Sequence, residues 1–406
     1  MVRKVENIRE GGEEDIIETP RPADIPYTQM LEALLDGSTP FPARYLYRLS
    51  DLDDEELEQL HKIWREIPLW RRQALMEDLQ VLVEKDLMLS FEAVARLALL
   101  DSDAKVRFGA IETLMANECE APDLVDVFLK SMDSDPDRKV RAISTSALGR
   151  YVYLAEMEEL SPEVKRLLEN RLLQAVQGNE DIEIRCCALE ALGFSTREEI
   201  PTLIENAYNA VDTAMQTSAL IAMGRSGSER WRPQVMSMLN HANPSIRTEA
   251  ARAAGELGMS ESRPHLFDLV DDANPDVSMA SLEALSKIGG KGVRKILQER
   301  LQEADDDDEV KFIEDLIDDL DFNEGIHDLD LIDLEEDGRP NLYTGDEGED
   351  DDEIDADELF DFDDDEEDEE DDFYDEIDEE DLDDFLSDED EDYDYKDDEE
   401  DEDLWD

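Results

Sequence analysis

Apolar residues through the middle of the chain recur at intervals of three and four, the spacing of one face of an α-helix. Six segments come into register when the chain is slid against itself, opening at Val106-Arg107, Val140-Arg141, Ile184-Arg185, Met215-Gln216, Ile246-Arg247 and Val277-Ser278. The period from one pair to the next is that of a helix-turn-helix unit and too short for independent globular domains, and it is the same for the last three steps. The first member is apolar every time, so each pair starts a helix with a buried face.

Within each unit the columns have distinct chemistry. Three residues after the second member stand Ala110, Ser144, Ala188, Ala219, Ala250 and Ser281; six after it stand Thr113, Ala147, Ala191, Ala222, Ala253 and Ala284. Positions three apart share a helical face, so these small residues form a stripe against which another helix approaches closely. The next column, Leu114, Leu148, Leu192, Met223, Ala254 and Leu285, is mostly large and apolar and fills the space between stacked units. Gly149, Gly193, Gly224 and Gly258 suit the left-handed residue that ends a helix, and Pro122, Ser161-Pro162, Ser228 and Ser262 suit the starts of the helices that follow.

The pattern degrades at both ends. Val310-Lys311 opens a seventh copy in which the small positions become Glu314 and Ile317, while Phe312, Ile313, Leu316 and Leu320 keep an apolar face. Terminal repeats must present a polar outer surface to water, so this copy reads as a cap. At the other end, Leu57, Leu60, Ile63, Trp64 and Ile67 predict a helix over 53–66, and Pro68 opens a second helix containing Leu69, Ala74, Leu75, Leu79, Leu82 and Val83. Gly11-Gly12 with Pro20, Pro22 and Pro26 marks a flexible leader.

These units, with turns such as Asn243-Pro244-Ser245-Ile246-Arg247 and Asn274-Pro275-Asp276-Val277, resemble HEAT repeats, in particular the short HEAT-like repeats typified by phycobilisome lyases. The resemblance covers about residues 90–320 and implies an all-α fold, an α-solenoid of stacked helical hairpins. The expected organisation is a leader (1–26), a helical cap (27–89), the repeat solenoid (90–322), a linker (323–345) and a disordered acidic C-terminal tail (346–406). Solenoids of this kind serve many binding roles, so the fold alone does not give the function.

Charge changes the picture only at the C-terminus. The chain carries a net charge of −77, yet residues 1–302 hold 54 acids and 35 bases, ordinary acidity for a domain of that length. Residues 346–406 hold 43 acids and one base, Lys396. Such a polyanion repels itself and buries too little apolar surface to offset the entropy of ordering, so disorder is expected. Aromatics nevertheless interrupt it: Phe360, Phe362, Phe373, Tyr374, Phe385, Tyr393, Tyr395 and Trp405. Acidic runs with spaced aromatics grip basic proteins, the carboxylates steering the encounter and the rings anchoring it, and these eight residues are the candidate partner-binding set. In composition the tail resembles those of histone-chaperone-like and nucleic-acid-mimicking proteins. Direct nucleic-acid binding by the tail is disfavoured, because a polyanion repels phosphates.

Candidate chemistry is sparse. One class of HEAT-like enzyme binds two irons through His-Glu pairs on successive repeats, but His61, His241, His265 and His327 are followed by Lys, Ala, Leu and Asp. The metal-hydroxylase reading is therefore rejected, and no metal or cofactor is expected. Asp133, Asp135 and Asp137 alternate as in a calcium loop, but Arg138 stands where the sharp turn needs Gly and Ser144 where the bidentate Glu belongs. Cys119, Cys186 and Cys187 are expected to be reduced thiols, with the adjacent pair packed inside. The arginine column Arg107, Arg141, Arg185 and Arg247 is either a ladder for an anionic ligand or a set of pairs to acids of neighbouring repeats. Trp64, Trp70, Lys62, Arg65, Arg71 and Arg72 near one corner, and Arg225, Arg230, Trp231 and Arg232 near another, either touch phosphate or lock helix junctions.

No run approaches the roughly 18 apolar residues of a membrane span, and the first ten residues have no apolar stretch behind their bases, so a cytoplasmic protein is expected. The function expected is a non-catalytic protein-protein interaction scaffold, its solenoid binding one protein and its tail capturing or shielding a basic one. Alternatives are a bilin-lyase-like accessory enzyme, which the resemblance implies, or a solenoid whose tail is solubilising or autoinhibitory. Oligomeric state is not legible.

Overall fold

A computed structural model describes residues 25–86, 88–304, 307–330, 332–334 and 340–342. The described residues fall into two compact units, one before Ser50 and one from Ser50 onward. In the first, α1 (Tyr27–Leu35) buries Tyr27, Met30 and Leu34, and two 3-10 turns follow at Ala43–Tyr45 and Tyr47–Leu49. Arg48 lies 5.2 Å from the centre of the Tyr27 ring and donates from Nε to the Ile25 carbonyl.

The second unit is a series of helical hairpins. Its helices are α2 (Asp54–Ile63), α3 (Leu69–Lys85), α4 (Glu92–Ala98), α5 (Ala104–Ala116), α6 (Leu124–Ser134), α7 (Arg138–Glu156), α8 (Pro162–Gln177), α9 (Ile182–Leu192), α10 (Ile200–Tyr208), α11 (Thr213–Arg225), α12 (Arg232–Met238), α13 (Pro244–Glu256), α14 (Arg263–Leu269), α15 (Pro275–Ile288), α16 (Val293–Glu303) and α17 (Asp307–Asp330). A short antiparallel pair follows, β1 (Ile332–Leu334) with β2 (Pro340–Leu342). From α4 onward each even-numbered helix packs on the odd-numbered one after it. The odd-numbered helices α3 to α17 also pack each on the next, forming a continuous row, while the even-numbered helices touch one another sparsely. The repeats are thus an α-solenoid, held mainly along the row that carries the small-residue stripe.

Local sequence explains where the row helices begin. Four residues before the second member of five of the register pairs stand Asp103, Asp137, Asp212, Asn243 and Asn274, and the side chain of each accepts a hydrogen bond from a first-turn backbone N–H. Asp137, for example, accepts from Lys139 at 2.8 Å and from Val140 at 3.2 Å. Such caps satisfy donors that a helix start otherwise leaves open.

The glycines act differently from the expectation at three of four positions. Gly258 does take a left-handed conformation, with φ of 56°. Gly149 and Gly224 instead lie inside α7 and α11, and Gly193 follows α9 with φ of −54°. Together with Gly255 they occupy the eighth position after the register residue, and each faces the Ala of the next repeat: Ala191, Ala222, Ala253 and Ala284. A methyl group at Gly193 would sit 2.8 Å from the Ala222 Cα, and one at Gly255 would sit 2.9 Å from the Ala284 Cα. These glycines therefore let two helix backbones approach, and of the four expected to end helices only Gly258 takes the left-handed conformation.

The seventh, degenerate copy falls in α17. Ile313, Leu316 and Leu320 are buried, the Ser286 hydroxyl donates to the Leu316 carbonyl at 2.7 Å, and Glu314, Asp315, Asp318 and Asp319 stay out of the core.

Candidate protein-binding surface

The arginine column is a structural ladder. Arg107 donates from Nη1 to the carbonyls of Asp101 and Ser102 in the turn leading into its own helix, both at 3.0 Å. Its Nε and Nη2 then reach the two oxygens of Asp135 in the next repeat's turn, at 2.8 and 2.7 Å. Arg247 repeats this geometry with His241 and Ala242 behind it and Asp272 ahead at 2.9 and 2.8 Å, and Arg141 reaches Asp181 at 3.2 Å. Arg72 makes the equivalent pair with buried Asp101. Bidentate, charge-assisted pairing fixes orientation as well as adding energy. The Arg247 hydrogen bond holds the Asp272 carboxyl below the usual range, and the Asp135 hydrogen bond raises the Arg107 guanidinium. Arg107, Arg141 and Arg247 are thus occupied across the repeats, while Arg185 donates from Nε to the Val176 carbonyl at 3.2 Å, so the column is not a continuous ladder for an anionic ligand.

The aspartates carry a second task. Asp101, Asp135 and Asp272 each accept the backbone N–H two residues on, from Asp103, Asp137 and Asn274. One short turn therefore supplies a helix cap, a turn brace and the acid of a ladder rung. Asp133 pairs with Arg171 at 2.6 Å, so all three acids of the calcium-like run have structural partners. Among the described residues no group of three or more His, Cys, Asp or Glu is placed to hold a metal ion.

Both aromatic-basic clusters are helix corners. Trp64 is buried and donates from Nε1 at 2.7 Å to the Asp101 oxygen that also accepts from Arg72. Arg71 is buried against the half-exposed Trp70 ring at 4.5 Å, and Lys62 pairs with Glu58. At the second corner Trp231 is buried, Arg230 lies 4.7 Å from its centre, and Arg232 pairs with Glu229 and Glu261. Arg225 lies 5.2 Å from the Phe194 ring, which packs edge-on against Tyr153 at 5.6 Å. Of the adjacent thiols Cys186 is buried, contacting the Met215 sulfur at 3.6 Å, while Cys187, like Cys119, is half-buried; burial pushes Cys119 and Cys187 up to about 12 and raises Cys186.

The row of odd-numbered helices also carries polar pairs within and between its helices. Ser218 donates to Glu190 at 2.5 Å, Arg252 donates to Glu249 at 2.8 Å, and Lys287 bridges Glu256 and Glu283 at 2.6 and 3.0 Å. Burial pushes the Glu190 and Glu249 carboxyls up, against the pull of Ser218 and of Arg252 respectively. Open grooves lie beside the even-numbered helices. One of about 650 Å³ has Leu52, Leu57, Ala93 and Leu97 with Asp54 and Glu58 in its lining; another of about 800 Å³ is lined by Gln177, Thr196, Arg197, Glu199 and Thr202 among others. Phe360, Phe362, Phe373, Tyr374, Phe385, Tyr393, Tyr395 and Trp405 lie outside the described residues. The grooves were not anticipated from sequence, since they combine residues from separate helices.

Hairpins stacked through a small-residue row, with an ion-pair ladder from turn to turn, define a helical-repeat protein. Residues 232–313, about one fifth of the chain, match the family model of HEAT repeats, and that segment is built of HEAT repeats. The chain's sequence matches none of the curated proteins with which it was compared. Among solved structures, human deoxyhypusine hydroxylase is 19% identical with a TM-score of 0.30, over 64% of this chain and 95% of the other. The CpcE–CpcF phycocyanin lyase complex from Nostoc sp. gives 17% identity and a TM-score of 0.39, over 56% of this chain and 94% of the other. The karyopherin Kap121p, bound to the extreme C-terminus of the protein phosphatase Cdc14p, gives 15% identity and a TM-score of 0.37 over 77% of this chain, which spans 41% of that protein. The assignment rests on the matched residues and the repeat columns. No helix among the described residues is long and apolar enough to cross a membrane.

Proposed function

We propose that the protein is a non-catalytic interaction scaffold in which the HEAT repeats hold one protein and residues 346–406 capture or shield a basic one. The observation that carries this reading is the contrast in how charges are used. In the repeats the principal basic side chains are committed to named acids or carbonyls, whereas the tail sets 43 acids against one base and spaces eight aromatics among them. Carboxylates at that density attract a basic surface over about 8 Å at physiological salt, and the aromatics supply the desolvated contacts that charge alone does not. Cytoplasmic location belongs to the same proposal.

Crosslinking with mass spectrometry, on the full chain and on a chain lacking residues 346–406, tests the division of labour. The expected result is two sets of crosslinks: one from repeat lysines to a partner retained in both chains, and one to a basic partner that is lost with the tail and at high salt. A single set, unchanged by removal of the tail, overturns the tail's role.

A further inference from the structure

The turn-to-turn ladder is broken twice in succession. Arg72–Asp101, Arg107–Asp135 and Arg141–Asp181 clamp α3 through α9, and Arg247–Asp272 clamps α13 to α15. The acid six residues before the register residue (Asp101, Asp135, Asp272) is replaced by Asn179 before α9, where Asp181 two residues on completes the rung, then by Ala210, where the corresponding Asp212 caps its own helix, and then by His241. Arg185 pairs with no carboxylate among the described residues, and its Nε donates back to the Val176 carbonyl at 3.2 Å. Gln216 likewise turns back, to the Tyr208 carbonyl at 3.4 Å. His241 keeps only the turn-bracing task of the missing acid, its Nδ1 accepting from the Asn243 N–H at 3.1 Å.

The joint α9–α11 has the Gly193–Ala222 approach and the Ser218–Glu190 hydrogen bond, and α11–α13 has the Gly224–Ala253 approach, while α13–α15 has the same kind of approach at Gly255–Ala284 and a bidentate ion pair in addition. Small apolar contacts set a distance between helices but permit sliding; a bidentate ion pair also sets orientation. We infer that α9 to α13 is the compliant segment of the repeat array, across which successive hairpins shear at lowest cost. The inference is independent of which partner binds.

The sequence itself supplies the test. Arg185 and Ala210 stand at the same separation along the chain as Arg247 and Asp272, and the two repeats they belong to are equal in length. Ala210→Asp therefore places a carboxylate where a rung belongs. Hydrogen exchange by mass spectrometry on the full chain should show the amides of 211–215 and of 242, 243, 245 and 246 exchanging about tenfold faster than those of 273, 274, 276 and 277 in the unaltered protein. Ala210→Asp should slow exchange at 211–215 about fivefold. Because an aspartate there also braces its own turn, the same substitution is made with Arg185→Gln, which should forfeit most of the slowing. Equal protection of the three turns in the unaltered chain overturns the inference. So does slowing by Ala210→Asp that persists without Arg185, since the gain would then be local to one turn.

Discussion

Gly149 and Gly255 offer a paired test of why glycine occupies the eighth position. Both lie inside helices, where Gly→Ala removes backbone freedom from the unfolded chain and stabilises by about 0.5–1 kcal/mol. The surroundings differ. A methyl group at Gly149 meets the Ala191 Cα at 3.5 Å, an ordinary contact. At Gly255 it meets the Ala284 Cα at 2.9 Å and the Ala284 Cβ at 3.1 Å, and backbone cannot swing aside as a side chain does. Overpacking of that kind costs about 1–3 kcal/mol, so the net for Gly255→Ala is a loss of about 1–2 kcal/mol. Gly149→Ala should therefore raise, and Gly255→Ala lower, the urea midpoint followed by circular dichroism at constant slope. A repeat array can unfold in stages, so exchange protection in α13 and α15 should be read alongside the midpoint. Stabilisation by both substitutions would refute close backbone approach and leave helix propensity as the whole explanation.

The ladder makes a similar contrast. Arg107→Ala leaves Asp135, with 9% of its side chain exposed, without its cation and should cost about 2–3 kcal/mol, whereas Arg138→Ala breaks a half-exposed pair with Glu183 and should cost under about 0.5 kcal/mol; equal effects would contradict the ladder. Asp78 in α3 is pushed up to about 6 by burial and then by Glu77, with Arg71 opposing. Its folded value lies above the unfolded 3.8, so the half-buried carboxylate opposes folding above about pH 6, and this opposition fades as pH falls towards 4. Asp78→Asn should accordingly raise the thermal midpoint at pH 7.5 and have little effect at pH 3.5; a pH-independent shift would assign the effect to packing. The opposite sign holds for Asp272, whose lowered value gives stability that is lost as pH falls through its folded value, so Asp272→Asn should destabilise at pH 7 and matter least in acid. A thermal midpoint for Asp272→Asn that matches the unaltered chain at pH 7 would contradict this.

Much of the architecture was legible because the repeat is written in columns. An apolar residue followed by small residues at the third and sixth positions after the register residue identifies a helix that packs on its equivalents, and α5, α7, α9, α11, α13 and α15 are those helices. The glycine column misled because glycine near the end of an apolar pattern looks the same whether it ends a helix or admits another. Only the pairing of the eighth position with the next repeat's Ala distinguishes them. The Asp and Asn caps formed a further column, four residues before the register residue, and were available in the sequence as Asp103, Asp137, Asp212, Asn243 and Asn274. Asp101 was hidden for a different reason: its partners Trp64 and Arg72 come from the irregular corner before the first repeat, where no period relates them. The grooves beside α4 and α10 combine residues from separate helices, which no residue column specifies.

The central claim, that the tail grips a basic partner through aromatics as well as charge, is tested most directly by fluorescence anisotropy with a labelled Lys- and Arg-rich peptide carrying spaced Leu residues. It is titrated with the full chain and with a full chain in which Phe360, Phe362, Phe373, Tyr374, Phe385, Tyr393, Tyr395 and Trp405 are all replaced by Ser. The net charge of −77 is identical in the two proteins, so salt dependence should be the same while affinity falls about tenfold or more in the substituted chain. Indistinguishable affinities across the salt series would contradict the claim and leave the 43 acids as a charge reservoir without anchors.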